Sequence, residues 1–148
     1  MLRRAQAGDA EAIAEVFIAA REEMLAYLPD LHTEDSIRRW IAHVVLVEHE
    51  VWIAENGSGT VGFAALHGDL LGHLYVHPDV QRNGVGTELL LRAKKERPDG
   101  LRLYVFQQNE GARRFYERHG FRVLELGDGS GNEEGAPDAL YGWDGSAR

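Results

Sequence analysis

The chain has 148 residues and an ordinary apolar fraction of 44%, enough for one domain with a real core and too much for wholesale disorder. Its 24 acidic residues outnumber 16 basic ones, a net charge of −8. That balance argues against nucleic acid, whose phosphates reward clustered Lys and Arg; it tolerates a cationic acceptor, although solubility is its simplest meaning. No cysteine is present, which excludes disulfides, cysteine-based metal sites and thiol nucleophiles and suits a reducing cytoplasm.

Met1-Leu2-Arg3-Arg4 leads into polar, acidic sequence, so no signal peptide is expected, and no stretch is long enough to cross a bilayer. Leu2–Gln6 reads as a short strand. Gly8-Asp9 is expected to cap a first helix that turns Ile13, Val16, Phe17, Ala20 and Met24 inward. Tyr27-Leu28-Pro29-Asp30 breaks it. Thr33 opens a second helix with Ile37, Trp40, Ile41, Val44 and Val45 on one face. Val51–Glu55 and Thr60–Leu66 form a hairpin about the turn Asn56-Gly57-Ser58-Gly59. Leu70–Val76 is a further strand. A glycine turn, Gln81-Arg82-Asn83-Gly84-Val85-Gly86, then opens a third helix with Val85, Leu89, Leu90 and Ala93 inward, ended by Pro98-Asp99-Gly100. Strand Leu101–Phe106, helix Glu110–His119 and strand Phe121–Leu126 follow. A polar glycine-rich loop, Gly127 to Pro137, precedes the last strand, Ala139–Trp143. Residues 1–148 read as one domain. Hairpins early and strand–helix alternation late imply an α/β protein of α+β type, with a mixed, mostly antiparallel sheet and helices on both faces.

The glycine turn carries the first chemical signal. Backbone N–H groups at a helix start have no partner within the helix and, with the positive end of its dipole, favour a phosphate. Gly84 and Gly86 leave room for close approach, Arg82 adds charge, and N–H groups from Arg82 to Thr87 are available to cradle oxygens. A Rossmann site would want a third glycine, but position 89 is Leu; a P-loop would want Gly-Lys-Ser/Thr, but Gly86 is followed by Thr87-Glu88.

The turn fits another pattern, Gln/Arg-x-x-Gly-x-Gly/Ala, the pyrophosphate loop of the GCN5-related N-acetyltransferases (GNATs). The chain resembles that family there, in the lead-in Leu74-Tyr75-Val76-His77-Pro78-Asp79, and again in Asn109, Ala112, Phe115-Tyr116 and Gly120-Phe121. The resemblance implies a sheet of six to seven strands splayed between the fourth and fifth. It implies direct acetyl transfer from acetyl-CoA to a primary amine through a ternary complex, with no metal and no covalent enzyme intermediate. Gln81, Arg82, Asn83, Gly84, Val85, Gly86 and Thr87 would then hold the coenzyme pyrophosphate. By the same analogy the Leu74 N–H polarises the thioester carbonyl, and the Val76 backbone pairs with the pantetheine arm like an added strand. Gly72 would ease a bulge or close approach nearby.

The resemblance gives Tyr116 the role of proton donor to the leaving thiolate, since a phenol stays protonated at neutral pH; the plainer reading is a core aromatic. Asn109 is expected to cap the fourth helix, either alone in that role or also touching the coenzyme through its amide. Many family members carry a glutamate as general base on or near the fourth strand, and this chain has none there. His73 is the candidate base, alongside Leu71 and Tyr75 by strict alternation, or else it only shapes the pocket; Asp69 is a second choice through water. His77 beside Pro78 reads as a turn residue.

Tyr27, Leu28 and His32, between the first two helices, are expected by analogy to bind the acceptor; Trp40 either joins them or, the favoured reading, serves as core. Asp128, Glu133, Glu134 and Asp138 flank the last loop and would attract a cationic amine, but a solvated loop is the favoured reading. Tyr141 and Trp143 on the last strand would either pack across a homodimer or serve as core. A small-molecule or peptide amine is the expected partner. Two alternatives stand beside it: an acyl-CoA-binding module with little turnover, and an enzyme for protein N-termini or lysines.

Overall fold

Seven strands form one sheet in the order β1-β2-β3-β4-β5-β7-β6 in a computed structural model that describes residues 1–80 and 84–146. The strands are β1 (Leu2–Arg4), β2 (Glu50–Asn56), β3 (Gly59–His67), β4 (Leu70–Val76), β5 (Leu101–Phe106), β6 (Arg122–Gly127) and β7 (Asp138–Trp143). Every pairing is antiparallel except β4–β5. The mixed, mostly antiparallel sheet expected from the sequence is what forms.

Helix α1 (Ala10–Met24) starts after a 3-10 turn, Ala7–Asp9. Asp9 does not cap it through its side chain. The carboxylate turns back to accept from the Gln6 N–H at 2.7 Å and pairs with Arg3 at 2.8 Å, clamping β1 to the helix. Helix α2 opens at Glu34–Trp40, where the Thr33 hydroxyl caps the Ser36 N–H at 3.1 Å. It runs on through a π-helical stretch, Ile41–Val45, into Leu46–Glu48. Helices α3 (Val85–Glu96) and α4 (Glu110–Arg118) complete the set.

The sheet separates two apolar layers. On one face Ile13, Val16 and Phe17 of α1 and Ile41 and Val45 of α2 pack on Val51, Ile53, Phe63 and Ala65. On the other, Leu89, Leu90 and Ala93 of α3 and Tyr116 of α4 pack on Ala64, Leu66, Leu71, Leu103 and Tyr141. Gly62 lets α3 come this close: a Cβ there would meet Leu89, the Tyr75 carbonyl and Val85 at 3.0, 3.1 and 3.2 Å. Strand β7 lies between β5 and β6, and Tyr141 is fully buried. The last strand is therefore interior to the sheet, and the expectation that Tyr141 packs across a dimer gives way to core. Among the described residues, no helix is long and apolar enough to cross a membrane.

Two irregularities in β4 position the site. Ala65 pairs with His73 but Leu66 pairs with Leu71, so Gly72 is an extra residue, a bulge. Strict alternation would put His73 on the side of Leu71. The bulge shifts the pleat by one residue: Leu71 enters the α3–α4 core, while His73 and Tyr75 face α1 and α2. The second irregularity is at β5. The parallel pairing registers only Leu70 with Arg102, and beyond that pair the strands diverge.

Candidate active site

The divergence of β4 and β5 is one half of the site. Gly84 precedes α3 at φ +82°, a left-handed conformation that suits glycine and lets the chain turn from the preceding loop into the helix axis. Glu88 N–H reaches the Gly84 carbonyl at 3.0 Å, leaving the N–H groups of Val85, Gly86 and Thr87 without helical partners. Gly86 lies against Phe115 and Val76, 3.6 and 3.7 Å from where its Cβ would be. Gln81, Arg82 and Asn83 lie outside the described residues. Leu74 packs on the α3–α4 core beside Val76.

Tyr116 of α4 belongs to the same layer. Its ring meets Phe115 and Phe121 edge-on at 5.2 and 5.5 Å, and burial, helped by the neighbouring Tyr75, pushes its hydroxyl well above the usual phenol range. It stays protonated at any physiological pH, as a proton donor must. Asn109 caps α4, its side-chain oxygen accepting from the Ala112 N–H at 3.2 Å.

The other half is a cleft of about 410 Å³ on the opposite face of β4. Phe17 and Arg21 come from α1, Pro29 to His32 from the following loop, Ser36, Ile37 and Trp40 from α2, His73 and Tyr75 from β4, and Glu133 and Glu134 from the β6–β7 loop. Phe17 meets Trp40 at 5.4 Å and Tyr75 at 5.0 Å, and Trp40 meets His73 at 5.1 Å, giving the floor a continuous aromatic surface. Burial, with the charges of His49 and Arg21, lowers His73 to about 4, so its imidazole is neutral at physiological pH. Burial raises the Tyr75 hydroxyl, against the pull of Arg21.

Of the three acceptor residues expected from the sequence, His32 lines this cleft. Leu28 is buried, and neither it nor Tyr27 is among the lining residues. Trp40 is a cleft wall as well as part of the α1–α2 core, so both of its readings hold. The larger correction concerns the late loop. Glu134 pairs with Arg21 at 3.4 Å and Glu133 with His32 at 2.9 Å, so both acids stand on the rim of the cleft, Glu134 largely buried and Glu133 still in solvent. Asn132 folds the loop for this, donating to the Ala136 carbonyl at 2.8 Å and to Asp138 at 3.1 Å. Asp69 pairs with Arg102 at 3.2 Å and is not among the cleft-lining residues. His77 is the turn residue expected, its ring nitrogen accepting from the Asp79 N–H at 3.2 Å.

Sequence reasoning missed Arg21 and Tyr75 and set Glu133 and Glu134 aside as solvated loop. Tyr75 was findable, since it stands two residues from His73 on one strand face. Glu133 and Glu134 reach partners 101 and 113 residues away in the chain, and no local pattern signals that.

A family model described as an acetyltransferase (GNAT) domain matches residues 47–123. The chain is 26% identical over 126 residues to the peptidyl-lysine N-acetyltransferase YiaC of Escherichia coli (strain K12), covering 84% of this chain and 85% of that one. It is 31% identical over 126 residues to the peptidyl-lysine N-acetyltransferase YjaB of the same strain, covering 82% of each chain. The solution structure of apo YjaB from Escherichia coli superposes with a TM-score of 0.80 at 25% identity, over 99% of this chain and 98% of that one. The crystal structure of the PaiA N-acetyltransferase of Thermoplasma acidophilum in complex with coenzyme A shares the fold, with a TM-score of 0.74 at 23% identity over 97% of this chain and 98% of that one.

Proposed function

The chain belongs to the GNAT acetyltransferase family and is an N-acetyltransferase with acetyl-CoA as co-substrate, and we propose that it acetylates a primary amine that enters the aromatic cleft as an ammonium, a peptidyl lysine being the substrate class best supported. The observation that carries this reading is the position of β4. The strand separates a cleft floored by Phe17, Trp40 and Tyr75 and rimmed by Glu133 and Glu134 from a β4–β5 divergence flanked by the glycine-opened α3 and Tyr116. Aromatic faces and carboxylates both attract an alkylammonium, and the aromatic floor also takes an aliphatic stem. YiaC and YjaB carry the name peptidyl-lysine N-acetyltransferase, which favours lysine over a small free amine.

Residues on both sides of β4 share the work. The Val85, Gly86 and Thr87 N–H groups, with residues 81–83 by family resemblance, bind the pyrophosphate. Asn109, having capped α4, presents its amide to the coenzyme. The Leu74 N–H polarises the reacting carbonyl, and the Val76 backbone aligns the pantetheine arm by the same resemblance. Acetyl-CoA supplies the acetyl group as a thioester. Tyr116 donates a proton to the departing sulfur. His73, neutral and beside the cleft, accepts the amine proton. His32, on the cleft lining, meets the acceptor, and Tyr27 and Leu28 belong to the segment that carries it. Residues 1–148 work as one transferase unit, and the cysteine-free composition suits the cytoplasm.

A panel of lysyl peptides, free lysine and polyamines, read as thiol released from acetyl-CoA, tests the substrate class. Turnover of peptides above that of the small amines is the expected result. Turnover of small amines alone would overturn the lysine reading, and no turnover with any amine would overturn the whole.

A further inference from the structure

Three histidines from three elements follow one another from the cleft toward the surface, and the acetyl-transfer chemistry gives such a line a task. His73 forms part of the cleft wall. His49, at the end of α2, lies 5.8 Å from it by ring centroids. His67, at the end of β3 and exposed, lies 5.4 Å from His49. The rings are neighbours without a direct hydrogen bond between them, so a proton passing from one to the next is carried by a bridging water. His49 Nδ1 is, among the described residues, the buried side-chain nitrogen or oxygen that lacks a hydrogen-bond partner. A buried polar atom left unpaired is costly unless a function retains it. Gly72 at the β4 bulge supports the arrangement, since the His49 ring lies over it, 3.5 Å from where a Cβ would stand.

The stoichiometry requires an exit. An ammonium carries three N–H bonds and the product amide keeps one. As the N–C bond forms and the C–S bond breaks, two protons leave nitrogen: one is balanced by the thiol formed on sulfur, and one must leave the cleft. The Arg21–Glu134 and His32–Glu133 pairs rim the mouth of the cleft, where the acceptor enters, so an exit on the β3–β4 side leaves that mouth to the substrate.

We propose that His49 and His67 form a proton-exit path for the acetyl transfer, taking the amine proton from His73 and delivering it to solvent at the β3–β4 end, with His49 as the positioning and relay residue. This rests on the transferase reading above. The charged groups around the path suit transit rather than storage. His49 faces His67 and His73, with Glu48 on its own helix, and His73 faces Arg21 of α1 and Tyr75 of β4. Burial and the neighbouring imidazoles lower both His49 and His73, so neither holds the proton at neutral pH. The three do not form a metal site: among the described residues, no group of three His, Asp or Glu side chains converges to hold an ion.

The test is the buffer dependence of turnover in wild type, His49→Phe and His67→Gln, the second being a surface change that leaves the fold intact. In weak, low-concentration buffer, kcat should fall about tenfold in His49→Phe and less in His67→Gln, with KM for acetyl-CoA and amine unchanged. Added imidazole should restore both, as a mobile carrier replaces the path. A loss in His49→Phe that imidazole does not restore, or an unchanged kcat in both variants, would overturn the proposal. Active wild type with buffer-independent variants defeats the relay alone, whereas inactive wild type defeats the transferase reading and the relay with it.

Discussion

The two faces of β4 are built in opposite ways. The face proposed for the coenzyme is local: Leu74, Val76, Gly84, Gly86, Asn109 and Tyr116 fall within one stretch, and most are fixed by ordinary core packing or capping. The face proposed for the acceptor gathers residues from Phe17 to Glu134, holds titratable groups against aromatic rings, and is rimmed by the Arg21–Glu134 ion pair and the His32–Glu133 hydrogen bond, each joining residues more than 100 apart in the chain. A cofactor that stays the same across relatives can be held by a motif; an acceptor that varies is met by a surface assembled from loops. Gly72 joins the two, because its bulge puts Leu71 and His73, which unbroken alternation would leave on one face, on opposite faces of the strand.

The sharpest way to break this contrast is through Tyr116. Tyr116→Phe should lower kcat by about 100-fold with Kd for acetyl-CoA nearly unchanged, as measured by stopped assays and calorimetry. A loss confined to coenzyme affinity would make Tyr116 a packing residue only.

His73 comes next, and its effect is readable without activity. Its folded value, about 4, lies below the ordinary 6.5, so the unfolded chain takes up the proton first as pH falls. Stability from this group is therefore complete above pH 6.5 and is lost as pH falls toward 4. Urea denaturation at both ends should show wild type losing about 2–3 kcal/mol relative to His73→Gln. Parallel pH profiles would mean that His73 is more hydrated than its place in the cleft implies.

Gly84→Val tests the coenzyme face. A β-branched residue at φ +82° should cost about 1–2 kcal/mol. If the strain distorts the phosphate turn, Kd for acetyl-CoA rises roughly tenfold with the amine KM unchanged.

The smallest effect belongs to the rim. Glu134→Gln, which weakens the tie to Arg21, should raise the amine KM by roughly two- to fivefold and leave coenzyme binding alone. A matching change in Kd for acetyl-CoA would show that the two faces are coupled.

Sequence legibility followed the same division. The strand order of the early hairpin, the Thr33 and Asn109 caps, the inward faces of α1 and α3, and the glycine turn were all readable, because period and capping chemistry are local. The orientation of Leu71 was not, since alternation assumes an unbroken pleat and a bulge adds one residue. The final loop misled in another way: its glycines and acids look like solvated chain, yet Asn132 folds it and Arg21 and His32 hold it. The bases of that contact are far apart in sequence and meet only once the sheet has formed.

The most direct measurement couples thiol release from acetyl-CoA to acetylation of a lysyl peptide, with thermal stabilisation by coenzyme A followed in parallel. The expected result is one thiol released per acetylated lysine, with coenzyme A raising the melting temperature of wild type and of Tyr116→Phe alike. Acetyl-CoA that neither stabilises the protein nor yields thiol with any amine would contradict the assignment of the two faces.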